Sequence, residues 1–386
     1  MAARRLSYVN RPPTSTPASR ILAVEPELFC FNRQEIGAFE DHLNEIEKNS
    51  ASHDINSVDQ ILMAGDGTLF DGYKPTSYAL YQLTRYACPG LYKLLVELTQ
   101  SGFEDNRLAA VGIYNQVIRL YYKHNFIGRR LLYNKKSKII DAVVSADYAS
   151  FSNVKLWTQT AATMSALPSK TKFLEATMCG RWLNLRFYTK GVLFKLPGTN
   201  ERFFSGYYFS NHEGGLSALK GTNMLIRAED KLCFIEQSRY KNSINHIGSN
   251  VQKKFDELLD IVTAFNFDVT DCQSGVINSM QTSLGLGLLN QEEEEKREYS
   301  LSRQMQRWKI SYRLTEKVVA NVLVQSYKDT TPTPLIKITR EELQSRSLFD
   351  LALSLAREAK RSESIAARED LERVAFLVLT GRLRVK

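Results

Sequence analysis

The chain of 386 residues is poor in the features that mark specialised protein classes. Cysteine is scarce. The five (Cys30, Cys88, Cys179, Cys233 and Cys272) are odd in number, widely spaced and without a C-x-x-C pair, which points to reduced thiols and away from a disulfide framework. No apolar run approaches the roughly 18–20 residues that cross a bilayer. The opening MAARRLSYVNRP carries three arginines and no apolar core, so no secretory leader is expected. The five histidines show neither H-E-x-x-H nor i,i+4 spacing, and no Ser/His/Asp or Cys/His signature is present. Neither metal nor cofactor is therefore expected, nor catalysis, nor membrane contact. A cytoplasmic location follows as an expectation.

Positive charge, by contrast, is both present and localised. The formal net charge is +9. Between Arg119 and Lys190 there are 13 Lys/Arg against three acids (Asp141, Asp147 and Glu175), while the other 314 residues hold 38 basic and 39 acidic side chains. The same 72 residues contain eleven aromatics. Cations neutralise phosphates with counterion release, and exposed rings stack on unpaired bases without a sequence code. The mixture predicts contact with nucleic acid, single-stranded rather than duplex. The expected phosphate contacts are Arg129, Arg130, Lys135, Lys136, Lys138, Lys170, Lys172, Arg181 and Arg186, and the expected stacking rings are Tyr133, Trp157 and Trp182. The competing reading takes the rings as core and the cations as a solvated face.

Periodicity predicts an α+β protein, with an antiparallel sheet-rich middle flanked by helices and a helical C-terminal segment. Residues 1–20 read as a flexible basic arm, 21–270 as the core, 271–300 as a Gly/Ser-rich and then acidic linker, and 301–386 as helical. Helices are predicted at 34–48, 76–86, 90–99, 106–122, 152–167, 251–265, 314–327, 341–360 and 364–379. Strands are predicted over 129–148 as a pair joined by a basic turn, then at 172–178, 182–188, 192–196, 202–209, 216–226 and 232–236. The NSASHDINS stretch reads as a polar loop. Asp59–Met63 and Thr68–Phe70 read as a hairpin turned by Gly65-Asp66-Gly67. That turn is similar to the D-x-D-G-T-L loop of haloacid-dehalogenase-type phosphatases, but Ala64 stands where their nucleophilic carboxylate would be, so no aspartyl intermediate can form.

A longer pattern runs through Ala79-Leu80-Tyr81-Gln82-Leu83, Pro89-Gly90-Leu91-Tyr92, Ser145 to Tyr148 with Asn153, Gly206 with Asn211-His212-Glu213-Gly214-Gly215, Arg227, Cys233, and His246-Ile247-Gly248. It resembles a phage/plasmid-like family of unknown function with an N-S-E-x-G and R-H-x-G pattern. That family is itself similar, at a distance, to RecT/Red-beta-type single-strand annealing proteins. Here His212 replaces the usual Ser, Asn245 the usual Arg, and the asparagine of C-x-N is missing. The resemblance implies a role in replication or recombination of a mobile element, with strand annealing by a possible homo-oligomer. A structural or assembly protein of such an element is the alternative. For the motif residues themselves, structural roles are expected: Gly206 and Gly215 where a side chain would clash, Glu213 with Arg227 as a buried pair, and His246 with Gly248 at the start of a helix.

Overall fold

The structure, a computed structural model, describes residues 22–99, 103–125, 128–236, 243–246, 250–282 and 347–382. The N-terminal arm, most of the linker, the helix predicted at 314–327 and the first six residues of the helix predicted at 341–360 lie outside them, as does Gly248.

Two sheets organise the chain, and the α+β class stands. The larger has seven strands in the order β1 (Leu28–Asn32), β6 (Thr171–Cys179), β7 (Trp182–Lys195), β8 (Arg202–His212), β9 (Leu219–Arg227) and β10 (Cys233–Ile235), with β11 (Ser243–Ile244) also beside β9. Every pairing in it is antiparallel. The smaller runs β2 (Ser50–Ile55), β4 (Arg129–Asn134), β5 (Ile139–Ser145), β3 (Lys74–Pro75), with β3 parallel to β5. The basic β4–β5 turn is closed by Asn134, whose side chain accepts from the backbone of Lys136 and Ser137 at 3.0 Å each.

Strand alternation assigns the faces of the large sheet. On β7, Leu183, Leu185 and Phe187 enter a core shared with α1 (Ile36–Asn49), α5 (Asn153–Ala166) and α6 (Val251–Ala264). Asn184, Arg186 and Tyr188 point the other way. There α8 (Leu348–Arg361) and α9 (Ile365–Leu379) cover much of the sheet, joined to α7 (Val269–Gln281) in a second core around Phe203, Leu225, Phe234 and Phe376. The small sheet packs on α2 (Ser77–Ala87), α3 (Leu91–Thr99) and α4 (Glu104–Asn125). Helix starts follow side-chain caps: Thr76 accepts from Ala79, Ser152 from Lys155, and Ser347 with Asp350 makes a reciprocal capping box.

Three expectations are corrected. The polar loop at 50–55 is strand β2, held by backbone pairing with β4 and burying only Ile55. The first part of the linker is α7, whose Cys272 and Val276 are core residues. Asp66-Gly67 does make a turn, in which Thr68 donates to the Asp66 carboxylate from its backbone and its hydroxyl. No strand flanks it, and residues 58–61 form a 3-10 turn.

Candidate nucleic-acid interface

Folding separates the cations of 119–190. Arg181 and Arg186 are buried at 6% and 0% exposure, where no phosphate reaches them. Arg181 pairs with Asp141 and Glu213, and Arg186 with Glu175 and Glu372. Arg130 pairs with Asp54 at 2.7 Å and Lys136 with Glu45. Arg129 lies half-buried on β4. Lys135 and Lys138 are exposed at the hairpin tip, with the Lys138 ammonium 4.5 Å from the centre of the Tyr73 ring.

None of the three predicted stacking rings presents a free face. Trp182 is buried and donates to the Ser210 hydroxyl at 3.1 Å. Trp157 packs among Phe39, Phe173 and Phe187, and its ring N–H donates to Glu40. Tyr133 sits edge-on to Tyr73 at 4.9 Å. Large rings beside hydrophobic neighbours gain more from burial than from waiting for a base.

A second arrangement was not singled out by the charge count. Lys172 on β6 is opposite Tyr188 on β7, and strand parity puts Lys190 on the same face two residues on. Lys190 crowds the Lys172 ammonium, and this crowding, with burial and the nearby Arg33, lowers the Lys172 pKa. Beside them the half-exposed rings of Tyr188 and Phe204 lie 6.1 Å apart at 45°. Lys231 reaches over both, 4.8 Å from Phe204 and 5.9 Å from Tyr188. Burial and then Arg202 lower its pKa against the pull of Asp230.

The nearby carboxylates of Glu201, Glu229 and Asp230 all engage Arg227. Among the described residues, no carboxylate pairs with Lys170, Lys172, Lys190, Arg202 or Lys231. Cations thus surround two half-buried rings that pack against Met224 and Ile226 at the end of this sheet face. The legible signal of this arrangement was the two-residue spacing in Arg186-x-Tyr188-x-Lys190 and Arg202-x-Phe204, which a linear count of charge passes over.

Most of the longer sequence pattern converges elsewhere, on the seam between the sheets. Arg181, in the β6–β7 turn, donates to Asp141 of β5 at 2.8 Å, to Glu213 after β8 at 3.0 Å and to the Tyr133 carbonyl at 3.1 Å. Glu213 also accepts from the Asn153 backbone. Asn153 donates to the Arg181 carbonyl at 3.0 Å, and Asn211 donates to Asn153 and to the Phe151 carbonyl at 2.8 Å each. Gln82 accepts from the backbone of Val143 at 2.6 Å and donates to the Gly214 carbonyl at 3.5 Å. Tyr148 donates to the His212 carbonyl at 3.4 Å and stacks on His246 at 5.3 Å.

Gly215 has φ +77° against Tyr148, a left-handed turn that suits glycine. Gly206 lies inside β8, where a Cβ would stand 2.5 Å from the Phe187 carbonyl oxygen. The anticipated Glu213–Arg227 pair does not form, because the two belong to different clusters. His246 packs on Tyr148 and does not cap α6.

The seam is buried, and its protonation states follow from that. Burial raises the Glu213 carboxyl to about 7, only partly opposed by Arg181. Burial lowers His212 to about 3, helped by His246 and Arg181, and lowers His246 to about 4 against the pull of the Ala149 backbone. A carboxyl near 7 is suited to proton transfer, but Glu213 is 2% exposed and no substrate could reach it. The cluster joins two sheets. Among the described residues no group of three or more His, Cys, Asp or Glu is placed to hold a metal ion. Set against known proteins, the chain matches no family model, no curated protein and no solved structure.

Proposed function

We propose that this protein is a non-enzymatic binder of single-stranded nucleic acid, DNA first, through the sheet face formed by Lys172, Tyr188, Lys190, Arg202, Phe204 and Lys231. The observation that carries this reading is the crowding of the Lys172 and Lys190 ammonium groups, with Arg33 beside them and no paired carboxylate among the described residues. Like charges held together at a surface are relieved by an anion, and phosphates supply one with counterion release. The half-exposed rings add the sequence-tolerant stacking of unpaired bases, worth roughly 1–3 kcal/mol per base. The sequence resemblance to mobile-element proteins supports assigning this binding to phage or plasmid replication and recombination, including annealing, in the host cytoplasm.

Fluorescence anisotropy with single- and double-stranded DNA and RNA across a salt series tests the proposal. Lys172→Glu with Lys190→Glu is expected to weaken single-strand binding at least tenfold and to flatten the salt slope by roughly 0.7 per lost contact. Tyr188→Ala with Phe204→Ala is expected to cost single strands more than duplex. The triple change of Lys135, Lys136 and Lys138 to Glu acts on the other sheet, where Lys136 is already paired, and is expected to change affinity less than threefold. Unchanged affinity in the folded Lys172/Lys190 variant, or equal affinity for duplex, overturns the reading.

A further inference from the structure

β1 is the outer strand of the large sheet, and β6 is its only strand partner among the described residues. Edge strands are ordinarily blunted by lysine, proline or a bulge. Leu28-Phe29-Cys30-Phe31-Asn32 has none of these, and its register against β6 runs without a shift. The strand is also self-complementary. An antiparallel pairing with a second copy, centred on Cys30, sets Phe29 opposite the partner's Phe31 and Leu28 opposite the partner's Asn32. Just outside the paired strands, Glu27 comes near the partner's Arg33, the first residue of the 3-10 turn Arg33–Glu35 whose Glu35 holds the Asn32 N–H, at both ends. Glu27, Cys30 and Arg33 are all exposed in the single chain, and neither Glu27 nor Arg33 has an ion-pair partner among the described residues.

We infer that two copies of this chain associate through β1, in antiparallel pairing about a two-fold axis at Cys30, to form one continuous sheet. Aromatic cross-strand pairs and opposite charges at both ends favour this register over its neighbours, because a one-residue slip separates both kinds of pair. A two-fold perpendicular to the sheet keeps the same face upward in both copies. If the nucleic-acid reading holds, the two ring-and-cation surfaces then lie on one side of a shared sheet. The dimer itself does not depend on that reading.

The full-length chain with Cys88→Ser, so that Cys30 is the one exposed thiol among the described residues, is the material for the test. Mild oxidation with copper–phenanthroline is expected to give a disulfide-linked dimer that Cys30→Ser abolishes. Light scattering after gel filtration is expected to show a dimer in the reduced protein. Glu27→Arg alone and Arg33→Glu alone each set like charges together at both ends and are expected to weaken dimerisation about tenfold. The double swap is expected to restore it. The Tyr188→Ala/Phe204→Ala variant, which leaves Arg33 and its charged neighbours unchanged, is expected to dimerise as the parent does, which separates failure of this inference from failure of the binding proposal. A reduced monomer across the micromolar range, a crosslink that survives Cys30→Ser, or a double swap no better than the single changes each overturns the inference.

Discussion

The Arg186 guanidinium stands 2.7 Å from the Glu372 carboxylate, joining the middle of β7 to the last described helix across 186 residues of sequence. The pair is part of a closed quartet. Arg368 donates to the other Glu372 oxygen at 3.1 Å and to Glu175, and Glu175 lies 3.4 Å from Arg186. Two cations and two anions balance in a site that excludes water, and the Arg186 group also lies 5.3 Å over the Tyr208 ring. Next to the quartet, Glu369 accepts from Tyr208 at 3.2 Å and from Lys220 at 2.7 Å. α9 therefore pairs with Arg186, Tyr208 and Lys220 of this sheet face, while the Asn184 amide beside them has no hydrogen-bond partner among the described residues.

Removing one partner of a buried pair costs far more than removing both, because the survivor keeps its desolvation penalty. Arg186→Met should therefore destabilise the protein by about 3–5 kcal/mol. Arg186→Met with Glu372→Leu leaves the Arg368–Glu175 pair neutral and should recover most of that loss. Urea unfolding of the two variants measures the difference. Equal losses would mean that the quartet is not a coupled unit.

Much of the fold was legible, for reasons that particular residues illustrate. Leu183, Leu185 and Phe187 alternate cleanly because one face of β7 meets helices. Phe255, Leu258, Leu259 and Val262 repeat at helical spacing because α6 buries a stripe. β2 was missed because an edge strand that buries one side chain carries almost no hydropathy signal; its pairing is made by the backbone. α7 was missed because its contact runs through small residues. Gly275 lies so close to the Thr380 backbone that a Cβ there would clash, and nothing in the composition announces that.

The charge excess was legible too, but its destination was not. Glu213 and Glu372, which neutralise Arg181 and Arg186, are 32 and 186 residues away from them in the chain. The Tyr188–Phe204 pair required knowing which strands are neighbours. Of the seam residues, Gln82, Tyr148, Asn153, Asn211, His212, Glu213 and His246 belong to the longer pattern, whereas Arg181 and Asp141, which tie the two sheets together, do not.

The seam also contains a close approach between the two sheets. A Cβ on Gly214 would stand 2.5 Å from the Ala142 Cβ, across the boundary, and 2.9 Å from the His212 ring. Gly214→Ala should force the sheets apart and cost on the order of 1–3 kcal/mol, as overpacking does in rigid cores. Ala142→Gly in the same chain removes the first of the two clashes and should return part of the loss. Thermal unfolding of the single and double variants measures the coupling, and additive effects would show that the two residues do not meet.

Acid should loosen the seam. His212 and His246 titrate in the fold at about 3 and about 4, and near 6.5 when unfolded. Their neutral burial contributes stability that is present above pH 6.5 and is lost as pH falls toward 4. Glu213 acts with the opposite sign. Its folded pKa of about 7 lies above the unfolded value, so its contribution is full below about 4.5 and fades as pH rises to 7. Between pH 4.5 and 6.5 two histidines oppose one carboxyl, and the net slope is a loss of roughly 1.4 kcal/mol per pH unit of acidification. His246→Phe keeps the ring on Tyr148 and removes two buried nitrogens, neither of which has a partner at hydrogen-bond distance among the described residues. One seam histidine then opposes one carboxyl, and the slope over the same interval should become clearly shallower than the parent's, with little change in stability at pH 7. Urea unfolding at pH 6.5 and pH 5 measures both slopes, and a variant that keeps the parent's slope would remove His246 from the account.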